Sequence, residues 1–413
     1  MRYVRLVTVF SAIIFTLCLA TITNADTTIE WWQFWTDPGI KPTIDSMVAE
    51  FEQANPGIKV KVTDLTWANG HEKIALAFAS GTAPDVIELG SDWIAQFADA
   101  GHLLDMSNHV ADKKLKYDGW GMSEYNEGIY GMPWILGTRV LFVNLDLLKR
   151  AGYSPDHLPV SLQDFKSTVL AVGQLGKNTY GWGSNTAEKH RLYKKFLPFF
   201  WTFGCRILSD DGKYSVIASE DAVDALEFYK ELHDQTGYVA DQRGIEDAFL
   251  DGKIGFILSG DWLFKRIQLE KRKINFTTTV FPGPQKIDRV FPGRSFMGGE
   301  FLCISKSSSH PDEAAAFIDY ITSPANQIRF CKTNRSANPS SKDAQQDEYF
   351  TSDPNLQTFI RQLRLSYHPP VTPYWVEIEN ELDKLVEAVI FDGADPGNTL
   401  YQTGLNIRKL VEK

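Results

Sequence analysis

Cysteine is scarce in this chain, and what there is cannot build a scaffold. Cys18 falls in the first segment, and only Cys205, Cys303 and Cys331 follow. Three is an odd number, so at least one stays unpaired or pairs between chains, and the fold must stand on packing. A Cys303–Cys331 bridge fits an oxidising compartment, but the spacing does not demand it. Long apolar runs are missing too. Past residue 25 nothing approaches the roughly 18 consecutive apolar residues of a spanning helix, so the mature chain is expected to be exported and soluble. Nor is there surplus positive charge: the formal charge is −10, which argues against nucleic acid or an anionic membrane surface as the main partner.

Catalytic signatures are absent as well. The chain has no H-E-x-x-H, G-x-S-x-G, C-x-x-C or phosphate-cradling G-x-x-x-x-G-K, and its eight histidines lack metal-ligand spacing. No enzyme activity, cofactor or metal is therefore expected. Two acid clusters, Asp241/Glu246/Asp247 and Glu377/Glu379/Glu381, have the composition of a glycosidase pair, but solvated helix faces explain them more economically.

What the chain does have is tryptophan. Eleven Trp, within an aromatic content of 13%, suggest flat apolar platforms beyond the needs of a core, in a chain whose 43% hydrophobic content is otherwise ordinary. Its 413 residues allow about two or three domains. The first 25 residues read as a signal peptide. Arg2 and Arg5 precede an apolar run from Leu6 to Ala20, and Thr23-Asn24-Ala25 offers small residues before a cut. Phe15-Thr16-Leu17 ahead of Cys18 fits poorly with lipid attachment, so the expected location is the periplasm, without an anchor.

Behind the leader, strands and helices alternate. Thr28–Trp32, Ile58–Val62 and Asp85–Leu89 read as strands. Each is followed by a helical repeat, carrying Ile44, Val48 and Phe51, then Ile74 and Phe78, then Ile94, Phe97 and Ala98. Three such units imply a parallel sheet with right-handed crossovers. Gly128 to Pro133 reads as a tight hairpin, Thr138 to Asn144 as one strand, and Ser161 and Ser219 as helix N-caps. Arg191 to Phe203 reads as an aromatic helix, and the tail from Pro373 as two more helices.

Two strand ends share one layout. Asp85-Val86-Ile87-Glu88-Leu89 runs into Gly90-Ser91-Asp92-Trp93, and Ile254-Gly255-Phe256-Ile257-Leu258 runs into Ser259-Gly260-Asp261-Trp262. In open α/β sheets ligands sit at the carboxyl ends of strands, so Asp92 is placed to accept hydrogen bonds from hydroxyls. Its position also suits a helix N-cap. Two such ends facing each other would make a cleft.

The segments N-P-G-I-K-V, A-S-G-T-A-P-D-V-I, G-I-Y-G-M-P with T-R-V-L-F-V-N-L-D-L-L-K-R-A-G, F-L-D-G-K-I-G-F-I-L-S-G-D-W and G-G-E-F-L-C-I-S-K occur in this order. Together they resemble the extracellular sugar-binding proteins that feed ABC importers, the group of maltose- and trehalose-binding proteins. The resemblance covers nearly the whole mature chain. It implies an α/β, two-lobed periplasmic-binding-protein fold with a central ligand cleft and hinge crossings near Gly137, Gly298 and Ala337. The first lobe would be 26–137 with 299–336, and the second 138–298 with 337–413. Carried over by position, Asp92 matches an acid that binds sugar hydroxyls, and Trp262 an indole that stacks on a pyranose. Gly299 and Glu300 would line the cleft, and Trp35, Thr36, Trp67 and Arg139 would reach its mouth, with Trp182 and Trp375 as further candidates. Relatives often place an acid near Gly137, where this chain has none. The implied partners are a sugar and the permease subunits of an importer, with the chain acting as a monomer. Two rivals stand beside this reading: a receptor for a non-sugar solute such as a phosphorylated polyol, which would want several cations in the cleft, and a secreted carbohydrate-active enzyme.

Overall fold

The computed structural model describes residues 27–186, 188, 191–286 and 289–412. The signal peptide read in residues 1–25, with Cys18, lies outside the described residues. In chain order the strands of the main sheets are β1 (Thr27–Gln33), β2 (Ile58–Asp64), β3 (Val86–Gly90), β4 (Met132–Thr138), β5 (Val140–Asn144), β6 (Tyr180–Asn185), β7 (Gly237–Ala240), β8 (Ile254–Ser259), β9 (Phe276–Thr279), β10 (Met297–Ile304) and β11 (Asn338–Pro339). Six form one sheet in the order β11-β4-β10-β3-β1-β2, and five form another in the order β9-β5-β8-β6-β7. This is a two-lobed α/β architecture, with one sheet at the heart of each lobe.

The first sheet is mixed rather than parallel. β1 pairs in parallel with β2 and β3 as the βα repeats demand, but β10 returns late in the chain and inserts antiparallel between β3 and β4. The apolar run expected as one strand over Thr138 to Asn144 is in fact cut at Arg139. Thr138 closes β4 in the first sheet, and Val140 opens β5 in the second. Both sides of the step are held by one returning segment: Thr138 Oγ1 donates to Phe296 O at 2.7 Å, and Ser295 Oγ donates to Arg139 O at 2.7 Å. Residues 366–367 lie against that segment as well, Tyr367 N donating to Ser295 O at 2.9 Å and Met297 N to Tyr367 O at 2.8 Å.

The chain past Ala337 stays in the first sheet. β11 pairs with β4, and Phe350 packs in the same core as Trp31, Trp134 and Phe317, whereas Phe359 packs with Phe142 and Ile257 of the second sheet. The hairpin near Gly128 turns earlier than its glycines suggest. Asn126 and Glu127, with φ of 44° and 66°, make the turn, and Pro133 lies within β4. Cys205, Cys303 and Cys331 are buried and free, so the bridge the sequence allowed does not form. Two caps are as read: Ser161 Oγ accepts from Asp164 N at 3.1 Å and donates to its carboxylate at 2.7 Å, and Ser219 Oγ accepts from Ala222 N at 3.2 Å. No described helix is long and apolar enough to cross a membrane.

Candidate functional site

The strand ends singled out by their shared layout do meet. β3 finishes in Ser91-Asp92-Trp93 and β8 in Gly260-Asp261-Trp262, and between them lies a cavity of about 800 Å³. Trp67, Trp93 and Trp262 line it with Asp92, Arg139 and Lys194. A smaller adjoining space of about 270 Å³ reaches Trp35, Gly299 and Glu300.

Asp92 does not cap its helix; it makes no capping hydrogen bond, and its carboxylate spans the cleft to Lys194 Nζ at 3.3 Å instead. Both side chains keep only about a fifth of their exposure (17% and 21%), so the pair is poorly screened. Behind Asp92, Ser91 Oγ accepts from Gly299 N at 3.3 Å, tying β3 to β10. Gly299 has to be glycine, because a Cβ there would stand 2.6 Å from the Ile135 carbonyl on the neighbouring strand.

Trp262 is held on two sides. Its Nε1 donates to Glu246 Oε1 at 2.7 Å, and the Arg139 guanidinium lies over its ring with 4.5 Å to the centroid. Gly260 permits this fold-back, since a Cβ there would meet the Trp262 ring at 1.9 Å. Asp261, beside it, lines the smaller space and reaches the segment that leads into β11. It accepts from Ser336 Oγ at 3.0 Å, Ala337 N at 2.7 Å and Asn338 Nδ2 at 2.9 Å. Ala337 itself sits at φ 87°, a left-handed backbone that these bonds stabilise.

Burial shapes the charges. Desolvation raises Glu300 to about 8, with Asp261 adding to the rise and Arg139 and Lys194 opposing it, so the carboxyl is mostly protonated at neutral pH and able to donate. Glu88 is buried beneath it, its Oε2 accepting from Phe34 N at 2.9 Å, and burial pushes it well above the carboxylate range. Desolvation lowers Arg139 to about 10, which leaves it cationic at neutral pH, and lowers Lys195 to about 7. Lys195 Nζ donates to the Leu258 carbonyl at 2.6 Å.

The remaining candidates divide. Trp67 is 47% exposed and stacks on Phe34 with ring centroids 4.2 Å apart, one face open to the cavity. Trp35 lines the smaller space, its ring edge-on to Phe330. Thr36 is exposed and lines neither space. Trp182 and Trp375 are core residues, each 1% exposed, and neither lines the two spaces. Trp182 lies on β6, buried between β8 and β7 and packed against Phe165 and Phe199; Trp375 starts a helix and packs on Tyr193. The solvated reading of the acid clusters also fails at two positions, for Glu246 and Glu379 are 2% and 3% exposed.

Sequence reasoning missed Trp93, Arg191, Lys194, Lys195 and Gln242, all of which line the cavity. Trp93 was legible from its symmetry with Trp262. The three cations were not, because the stretch from Arg191 to Phe203 reads as a core helix from its aromatics. Among the described residues no group of His, Cys, Asp or Glu is placed to hold a metal.

The chain and its fold have counterparts among known proteins. The chain is 23% identical over 388 residues to a maltodextrin-binding protein of Bacillus subtilis, covering 89% of this chain and 85% of that protein. It is 25% identical over 395 residues to a galactooligosaccharide-binding protein of the same organism, covering 89% and 86%. Among solved structures it superposes on the sugar-binding protein MalE from Xanthomonas citri with a TM-score of 0.81 and 26% identity, over 93% of this chain and 97% of that one. The family model described as bacterial extracellular solute-binding protein matches residues 46–358, and the chain belongs to that family.

Proposed function

We propose that the protein is an extracytoplasmic receptor that holds a sugar or oligosaccharide between its lobes and delivers it, unaltered, to the permease of an ABC importer. One observation carries this reading: indoles from both strand-end turns, Trp93 and Trp262, share with Trp67 a single cavity of about 800 Å³ that also presents Asp92 and Arg139. Pyranose faces offer C–H groups that pack on indoles, and their hydroxyl rims need paired donors and acceptors. The sugars for which the two Bacillus subtilis relatives are named, maltodextrin and galactooligosaccharide, point the same way. Export to the periplasm fits the leader-like first 25 residues.

A phosphorylated polyol draws support from Arg139, Arg191, Lys194 and Lys195, more cations than the sequence suggested. Three of them are already engaged: Lys194 by Asp92, Lys195 by the Leu258 carbonyl, and Arg191 by Glu188 at 3.6 Å. A neutral guest therefore fits better. For the lobes, we assign the third crossing to the stretch between Phe350 and Phe359 rather than to Ala337, because those two residues pack in different cores. Thermal-shift screening against maltose, maltotriose, maltotetraose, galactobiose and glycerol 3-phosphate tests the function. A saccharide that raises the melting temperature is expected; a rise with glycerol 3-phosphate alone would favour the other solute class. Release of product from a chromogenic glycoside would make the protein an enzyme.

A further inference from the structure

Glu246 lies on the helix Gln242–Leu250 and is 2% exposed, yet its carboxylate gathers four donors. Oε1 accepts from Trp262 Nε1 at 2.7 Å, from Ser259 Oγ at 2.9 Å and from Gln242 Nε2 at 2.6 Å. Oε2 accepts from Arg266 at 2.6 Å. Two of these donors, Trp262 and Gln242, line the large cavity, while Arg266 does not. A buried carboxylate is costly unless its charge is paired and its lone pairs are filled; Arg266 supplies the first and the other three donors the second. The consequence for the cleft is geometric. An indole on a short helix turn has soft torsions, but an N–H fixed to an immobile carboxylate leaves the ring one orientation, with its upper edge anchored and one face under Arg139.

We propose that Glu246 is a positioning residue for binding: it sets the plane of the Trp262 indole and the amide of Gln242 before the ligand arrives, so that the stacking platform is pre-organised. This rests on the reading of the cavity as a saccharide site. A purely structural role is the competing account, and Arg266 separates the two. Arg266→Met removes the ion pair without touching the Oε1 bonds, whereas Glu246→Ala removes both.

The test starts from the saccharide of the panel above that raises the melting temperature most, with affinity measured by calorimetry. Arg266→Met is expected to lower the melting temperature and leave affinity within about twofold, while Glu246→Ala weakens binding about tenfold or more, the scale of one lost hydrogen bond to a charged acceptor. In a Trp262→Phe background, which lacks the N–H, Glu246→Ala is expected to add little. Equal losses from Arg266→Met and Glu246→Ala, or an undiminished loss in the Trp262→Phe background, would overturn the proposal. Where Glu246→Ala does not fold, Glu246→Gln takes its place: it keeps an oxygen toward Trp262 but turns a donor on Arg266, so lowered stability with near-normal affinity is expected, and an affinity loss equal to that of Trp262→Ala overturns the idea. A readout without ligand separates this from a failure of the saccharide reading. The emission of Trp262, taken as the difference between the unmodified protein and Trp262→Phe, is expected to shift to the red in Glu246→Ala and not in Arg266→Met. An unmoved spectrum sinks the positioning role even if no saccharide binds.

Discussion

Trp262 and Trp182 look alike in the sequence, each an indole at a glycine-flanked strand, and they do opposite work. Trp262 leans into the cavity against Arg139, whereas Trp182 is 1% exposed between Phe165 and Phe199. Truncation should separate them. Trp262→Ala is expected to weaken saccharide binding by about 2 kcal/mol or more while the protein stays folded, as for a binding hot spot. Trp182→Ala should destabilise the fold by about 3–5 kcal/mol through the cavity it leaves. Calorimetry and chemical denaturation on the two variants decide this, and reversed outcomes would move the site. Glu300 makes a separate prediction. Its folded pKa of about 8 lies above the ordinary 4.5, so the native state holds a proton that the unfolded chain gives up between these values. The stability it contributes is full below about 4.5 and is lost as pH rises through about 8. Glu300→Gln keeps a neutral group there, and its melting temperature should gain on that of the unmodified protein as pH goes from about 5 to 8. A constant difference across that range would show that Glu300 is ionised in the fold.

At the scale of elements, the local signals were legible where one short pattern decides the outcome. Ser161 with Asp164 is such a case: the hydroxyl accepts the Asp164 N–H and returns a bond to its carboxylate. Ser161→Ala should cost about 1 kcal/mol of stability in urea melts, with no change in ligand affinity. Elements read less well where both faces are buried. The run from Thr138 to Asn144 shows no polar relief, so nothing in it marks Arg139 as the place where the chain leaves one sheet for another. Asp92 failed as a cap for a related reason. The pattern of acid before an apolar helix was present, but a cation from the other lobe, 102 residues along the chain, took the carboxylate.

At the scale of the molecule, the segments at Thr138, Phe296 and Tyr367 lie side by side, bonded through Ser295 and Met297, and the Asp92–Lys194 pair bridges the cleft they flank. Such a bundle of strand-end residues suits hinge closure. A saccharide in hundredfold excess over its Kd should add about 2.7 kcal/mol to stability, and X-ray scattering of the complex should show a smaller radius of gyration than the free protein. Binding by calorimetry with unchanged scattering would mean that the lobes do not move. The sequence by itself determined the alternation of strands and helices, the helix caps at Ser161 and Ser219, and the pairing of glycine, acid and indole at two strand ends. All of these are written within a few residues, at the periods of a strand or a helical turn. Only the tertiary structure decided which indoles face the cavity, that Lys194 answers Asp92, and that Glu246 is buried beneath Trp262 rather than solvated. Those outcomes depend on which distant segments come to lie together, and neither spacing nor composition along the chain encodes that proximity.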